Sequence, residues 1–201
     1  MDIKTIADLR QFYAAPVERA VKKQIPQLDI HCRNFIELLP FVLVATSDAQ
    51  YNLDASPRGG APGFVKVTDE HTLLLTDSPG NNRLDSFQNI ISTGKIGLIF
   101  MIPGFNETLR VNGTAVLSRS AGDIALCTTE RRAPPLVVRV TVEAAYLHCA
   151  KAYMRSKLWD REAMVERSKL PSAGKMMSDQ TGLYVAPETQ EELERRLAPD
   201  L

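Results

Sequence analysis

The stretch at 107–118, ETLRVNGTAVLS, decides the fold class. Leu109, Val111, Ala115 and Leu117 fall on one side of a two-residue period, and Arg110, Asn112 and Thr114 fall on the other. That alternation predicts a strand with one face on a core and one polar face. Working outward, KIGLIFMIPG (95–104) is apolar on both faces and predicts a buried strand. A short helix, SAGDIALCT (120–128), precedes a last long strand, PLVVRVTVEAAYLHC (135–149). Upstream, FVLVATS (41–47) and NLDAS (52–56) pair across the turn SDAQYN, and FVKVTD (64–69) and HTLLLTD (71–77) form a hairpin around Asp69-Glu70. Between these pairs lies PRGGAPG (57–63), which reads as a loop.

The flanks change period. TIADLRQFYAA (5–15), PVERAVKKQI (16–25) and LDIHCRNFIELLP (28–40) carry apolar positions at helical spacing. Pro16 suits a helix start, Asp29 an N-cap and Pro40 a stop. The tail is helical again in KAYMRSKLW (151–159) and PETQEELERRL (187–197). The expectation is one domain over 1–201: N-terminal helices at 1–40, a barrel at 41–149 and a helical tail at 150–201. About six strands joined by short turns make a mainly β fold with flanking helices, an antiparallel barrel rather than a doubly wound sheet.

The chain has 201 residues, 44% hydrophobic, with 24 basic and 24 acidic side chains. Zero net charge gives no general attraction to nucleic acid or to an anionic membrane, so a bound anion needs a local cluster. The longest apolar runs fall far short of the ~20 residues that span a bilayer. The N-terminus has no signal-peptide core, and three scattered cysteines argue against a disulfide framework. A cytoplasmic location is expected. The two His-Cys pairs, His31-Cys32 and His148-Cys149, lack zinc spacings, so no metal site is expected.

A local anion cluster is on offer at TDSPGNNRLDSFQNI (76–90). Pro79-Gly80 makes a turn, Asn82 can cap a helix, and Asp85 three residues on resembles a capping box. Arg83 then falls in the first helical turn, where the helix dipole disfavours a cation. An anion held there by backbone N–H groups, the Asn81 and Asn82 amides and the guanidinium resolves the conflict. Ser56, Arg58 and Gly59 present a hydroxyl, a guanidinium and an N–H group from a second Gly/Pro-rich segment, and Arg110 lies on the polar face of its strand. No Ser-His-Asp or Cys-His arrangement and no carboxylate pair stands out, so catalytic residues stay unassigned.

The order strand, SPRGGAPGFVKV, strand, PGNNRLDSFQNI, strand, PGFNETLRVNGTAVL resembles the pyridoxamine 5′-phosphate oxidase-related flavoproteins, in particular the branch without an assigned substrate. CAKAYMRSKLWD and LPSAGKMMSDQTG fit the same branch. The resemblance implies an FMN-binding split β-barrel, a homodimer with FMN in a cleft between subunits, and oxidoreductase chemistry with a small-molecule electron donor and acceptor. By position, Arg58 falls where the family directs a basic residue toward the FMN phosphate or ribityl chain, and Thr76 lies near the flavin ring. Asn81, Asn82 and Arg83 occupy the phosphate turn, and Arg110 borders the ring. Arg155, Ser156 and Trp159 reach the flavin of the other subunit. The i, i+4 spacing of Arg155 and Trp159 predicts a shared helix face and a cation–π contact.

Two departures bear on activity. Leu84 stands where the vitamin B6 oxidases have a lysine, and RRLAPDL (195–201) lacks their aromatic lead-in, so B6 oxidation is not expected. The alternatives are a flavin carrier or electron-transfer module without turnover, or a split barrel binding a deazaflavin or haem. Haem would draw its axial ligand from His31, His71 or His148.

Overall fold

A computed structural model describes residues 2–183 and 188–200; Pro187, at the head of PETQEELERRL, and Leu201, at the end of RRLAPDL, lie outside the described residues. Among the described residues seven strands, one at each predicted segment, form a single antiparallel sheet: β1 (Phe41–Ser47), β2 (Leu53–Gly59), β3 (Val65–Asp69), β4 (Thr72–Thr76), β5 (Lys95–Met101), β6 (Thr108–Ser118) and β7 (Val137–His148). Their order is β2-β1-β5-β6-β7-β4-β3, with every pairing antiparallel.

Alternation sorts each strand into two faces. The row Ser56–Val44–Leu98–Val111–Ala145 points to the core, and the next row on that face runs Arg58–Val42–Phe100–Leu109. Val42, Phe100, Leu109 and Val111 are fully buried. Each such side chain contributes about 1.5–3 kcal/mol when removed from water, so this inner face holds the sheet in its curl. The opposite face carries the row Pro57–Leu43–Ile99–Arg110–Tyr146. A bulge at Asn112/Gly113 bends β6 against β7. A Cβ added at Gly113 would stand 1.9 Å from the Thr141 carbonyl oxygen, so only glycine permits this approach.

Strand β2 extends through Pro57, Arg58 and Gly59, which the sequence reading placed in a loop. The edge position explains the difference, because a proline's missing N–H is tolerated where only one side of the strand is paired. The expected β3–β4 hairpin forms around Asp69-Glu70.

The helices are α1 (Ile6–Arg10), α2 (Glu18–Lys22), α3 (Ile30–Leu38), α4 (Asp85–Thr93), α5 (Ala121–Cys127), α6 (Lys151–Ser156), α7 (Ala173–Thr181) and α8 (Gln190–Leu197). Asp29 caps α3, its Oδ1 accepting from the Cys32 N–H at 2.8 Å, and Cys32 and Ile36 bury one face of that helix. Helix α2 begins at Glu18, two residues past Pro16, so that proline precedes the helix instead of opening it. Helix α4 packs Phe87 and Ile90 into the core. Its Asn89 Nδ2 donates to Thr46 Oγ1 at 3.0 Å, and Gly94 ends it in the left-handed region at φ 65°.

Candidate functional site

Strand β2 and the turn after β4 stand at opposite ends of the sheet order, yet they face each other across one cleft of about 600 Å³. The sheet therefore curls into a barrel that stays open on this side. The period of β2 turns Asp54, Ser56 and Arg58 inward and leaves Leu53, Ala55, Pro57 and Gly59 exposed. Opposite them the chain leaves β4 at Thr76 and passes through 77–84 to the start of α4, whose first residues, Asp85 to Phe87, close the floor.

The cleft brings together Ser56, Arg58, Gly59, Thr76, Asn81, Asn82 and Arg83, all expected from sequence. Arg58 Nη1 donates to Ser56 Oγ at 2.6 Å and to the Pro57 carbonyl at 3.2 Å, which holds the guanidinium against its strand. Thr76 Oγ1 donates to the Phe64 carbonyl at 3.1 Å and ties the end of β4 to the loop before β3.

The turn differs from the expected capping box. Helix α4 starts at Asp85, so Arg83 lies outside it. Leu84 holds the N-cap position without a side-chain cap, and both Asn82 and Leu84 adopt φ 59°. Asn82 is thus not the cap. Instead Asn81 Oδ1 accepts from the Arg83 N–H at 3.1 Å, and Gln88 Nε2 donates to the Arg83 carbonyl at 3.0 Å. Arg83 Nε reaches Asp85 Oδ2 at 2.8 Å. The first turn of α4 has no side-chain cap, and Asp85, Ser86 and Phe87 of that turn line the cleft.

Three groups that the sequence reading missed line the same space. Arg132 donates through Nη2 to the Asp77 backbone carbonyl. The Asp77 carboxyl is pushed up from its ordinary value by burial, a shift opposed by the Ser78 N–H and by the charges of Arg132 and Arg58. Asp54 accepts from the buried Ser86 hydroxyl at 2.5 Å. Arg132 sits in ERRAPP, a proline-bearing segment like those that flagged Arg58 and Arg83, and that likeness was the available signal.

The remaining expected residues lie elsewhere in the chain. Arg110 is on the outer face of the sheet, 5.2 Å above the Tyr146 ring. Arg155 and Ser156 end α6 on the surface, and Lys157, at φ 51°, turns the chain before Trp159. The helix is therefore too short to give Arg155 and Trp159 a common face. Trp159 stacks on Tyr153 with ring centroids 5.5 Å apart, and its Nε1 donates to the Phe105 carbonyl at 2.8 Å.

The curled antiparallel sheet, open beside an arginine-lined cleft, is a split β-barrel. The chain belongs to the pyridoxamine 5′-phosphate oxidase family, whose sequence model matches residues 28–149. Among solved structures it is similar to a histidine-to-alanine variant of HupZ from Group A Streptococcus, with 18% identity, 60% of this chain and 99% of that chain covered, and a TM-score of 0.50. An FMN-binding protein from Syntrophomonas wolfei aligns at 11% identity over 60% of this chain and 90% of its own, with a TM-score of 0.43. No curated protein matches the sequence. Among the described residues no helix is long and apolar enough to cross a membrane, and no group of three His, Cys, Asp or Glu side chains is placed to hold a metal ion.

Proposed function

We propose that this chain is an FMN-dependent oxidoreductase acting on a small-molecule electron donor and acceptor, a cytoplasmic homodimer with the flavin between subunits. The observation that carries the reading is the cleft itself. Its lining gathers Arg58 from one wall with Arg83, Asn81, Asn82 and the uncapped start of α4 from the other, Arg83 being shared with Asp85 at 2.8 Å. Cationic forks and free backbone N–H groups suit a phosphate ester, and the cleft volume lies in the range that encloses a cofactor-sized ligand. Arg58 and Arg83 hold the phosphate end, Ser56 orients Arg58, and Thr76 with Phe64 and Phe87 borders the ring end.

When bound, FMN supplies the hydride and electron chemistry, and the protein supplies position and charge. Arg110, Arg155, Ser156 and Trp159, which do not line their own chain's cleft, complete the cleft of a second copy.

The carrier reading has one observation in its favour: among the described residues lining the cleft the candidates for proton transfer are the carboxyls of Asp54, Asp77 and Asp85, with no His, Cys, Lys or Tyr beside them. Saturable dependence of flavin reduction on one donor supports the enzyme, and unsaturable reaction with many donors supports the carrier. His31, His71 and His148 likewise lie outside the cleft lining, which leaves haem without an axial ligand there. The test of the main reading is an absorption spectrum of the purified protein before and after heat precipitation. Flavin bands released as FMN support it, and a protein that neither carries nor takes up FMN refutes it.

A further inference from the structure

The N-terminal segment lies outside the core. Between residues 2 and 24 nothing is buried, and every residue except Asp8 is exposed. Yet α1, α2 and the chain between them present Ile6, Leu9, Phe12, Tyr13, Val17 and Val21 to solvent, with Ile6 79% and Phe12 71% exposed. Each helix has five residues, far below the ~12–15 at which a free helix holds in water, so packing must supply what propensity does not. Phe12 and Tyr13 expose most of the roughly 150–250 Å² that an aromatic side chain can bury, and with the four aliphatic side chains the arm approaches the ~800 Å² that one partner gives to a standard interface.

The same chain carries a receiver. Along the outer face of the sheet, Ala55, Pro57 and Ala45 are exposed and Leu43 and Ile99 are half-buried, while Tyr153 of α6 covers Met101 at one end. Two contacts fix where the arm leaves this sheet. Ile25 exchanges both backbone hydrogen bonds with Ala145, and Lys23 Nζ donates to the Leu147 carbonyl at 2.7 Å and lies 5.5 Å from the Tyr146 ring centre. Tyr146 stands in the same cross-strand row as Ile99 and Leu43.

We infer that residues 2–24 form an exchanged arm, which lies across the outer sheet face of a second copy of this chain. A two-fold axis makes the contact reciprocal, so each copy supplies one arm and one face. The inference rests on the dimer reading above and adds the element that clamps it.

The test uses the full chain with the exposed Cys149 changed to Ser. One tagged copy carries Ile6→Cys, Phe12→Cys or Val17→Cys, and a second, differently tagged copy carries Leu43→Cys. The copies are mixed and oxidised. A disulfide between unlike copies, at twice the 22.3 kDa chain mass, is expected for at least one arm position. Glu130→Cys on the receiving copy should give only background. In parallel, Phe12→Asp combined with Val17→Asp should weaken dimerisation by at least about 100-fold while the circular dichroism of the barrel is unchanged.

Background cross-linking and unchanged dimerisation in a protein that light scattering shows to be a dimer overturn the arm and spare the dimer. A scattering mass of one chain overturns both. A disulfide that closes within a single chain carrying both cysteines, in preference to one between copies, overturns the second copy as the occupant.

Discussion

Replacing Arg58 by alanine tests the cleft most directly. The guanidinium lies on the inner face of an edge strand, half-buried, with one nitrogen held by Ser56 Oγ at 2.6 Å and by the Pro57 carbonyl. Neither contact closes a core layer, so the barrel should fold with its midpoint moved by no more than a few degrees. A hydrogen bond from a charged donor contributes about 1.5–3 kcal/mol, which at about 1.4 kcal/mol per decade predicts roughly 10- to 100-fold weaker FMN binding. The assay is a fluorescence-quenching titration with FMN and, separately, with riboflavin. Only the first carries a phosphate. If Arg58 grips that group, FMN affinity falls and riboflavin affinity stays within about twofold. Arg58→Lys should recover part of the loss, because it keeps the charge but not the fork. The wild-type advantage should also shrink as salt rises, since the cleft is open to water. Equal losses for both ligands would move Arg58 from the phosphate to the ring or ribityl chain. No loss for either would refute the placement of the ligand between β2 and the 77–84 turn.

Three further outcomes follow from the same geometry. The folded state favours the protonated Asp77 carboxyl because burial raises its pKa, so its ionised form is penalised above the ordinary carboxylate range. Asp77→Asn should therefore raise the melting temperature at neutral pH, with the gap closing as pH falls through that range, and a gap that widens in acid would reverse the sign. Gly113→Ala drives a methyl group into the Thr141 carbonyl and should cost about 3 kcal/mol or more, a drop of roughly 10 °C in a thermal scan. Burial pushes the Cys32 thiol up to about 12 and raises that of Cys127, so a maleimide reagent should label the native chain once, at Cys149.

The strands were legible because burial follows their period: the odd positions of β6 from Leu109 to Ala115 are buried as their pattern predicts. Asp29 as the cap of α3 was legible for an equally local reason. The misses occur where a residue takes a conformation that its side chain does not advertise. Leu84 and Lys157 both adopt positive φ, the first delaying the start of α4 and the second ending α6 before Trp159. Pro57 and Gly59 read as loop formers, but an unpaired edge accepts them in a strand. Arg110 lies opposite the buried positions of β6, as its period predicts, but on an outer face shared with Leu43 and Ile99, and a period of two cannot say which space lies beyond that face. Arg132 reaches the cleft from 55 positions past Asp77, a proximity that only the closed topology creates.

The bend that carries Arg83 has a consequence for the energy of the whole molecule. Two successive non-glycine departures into the left-handed region, at Asn82 and Leu84, bracket that arginine. For a residue with the bulk of leucine such a conformation costs about 1–2 kcal/mol, a visible fraction of the roughly 5–15 kcal/mol that separates folded from unfolded chains. Glycine at position 84 would relieve the backbone, so the bend is not the one that would best serve folding alone. The strain is offset when a ligand binds the folded chain and not the unfolded one, by an amount that grows with the logarithm of ligand concentration over Kd. If the cleft binds the flavin proposed above, the abundance of this protein in a cell would track the supply of that flavin, with the empty chain turned over first.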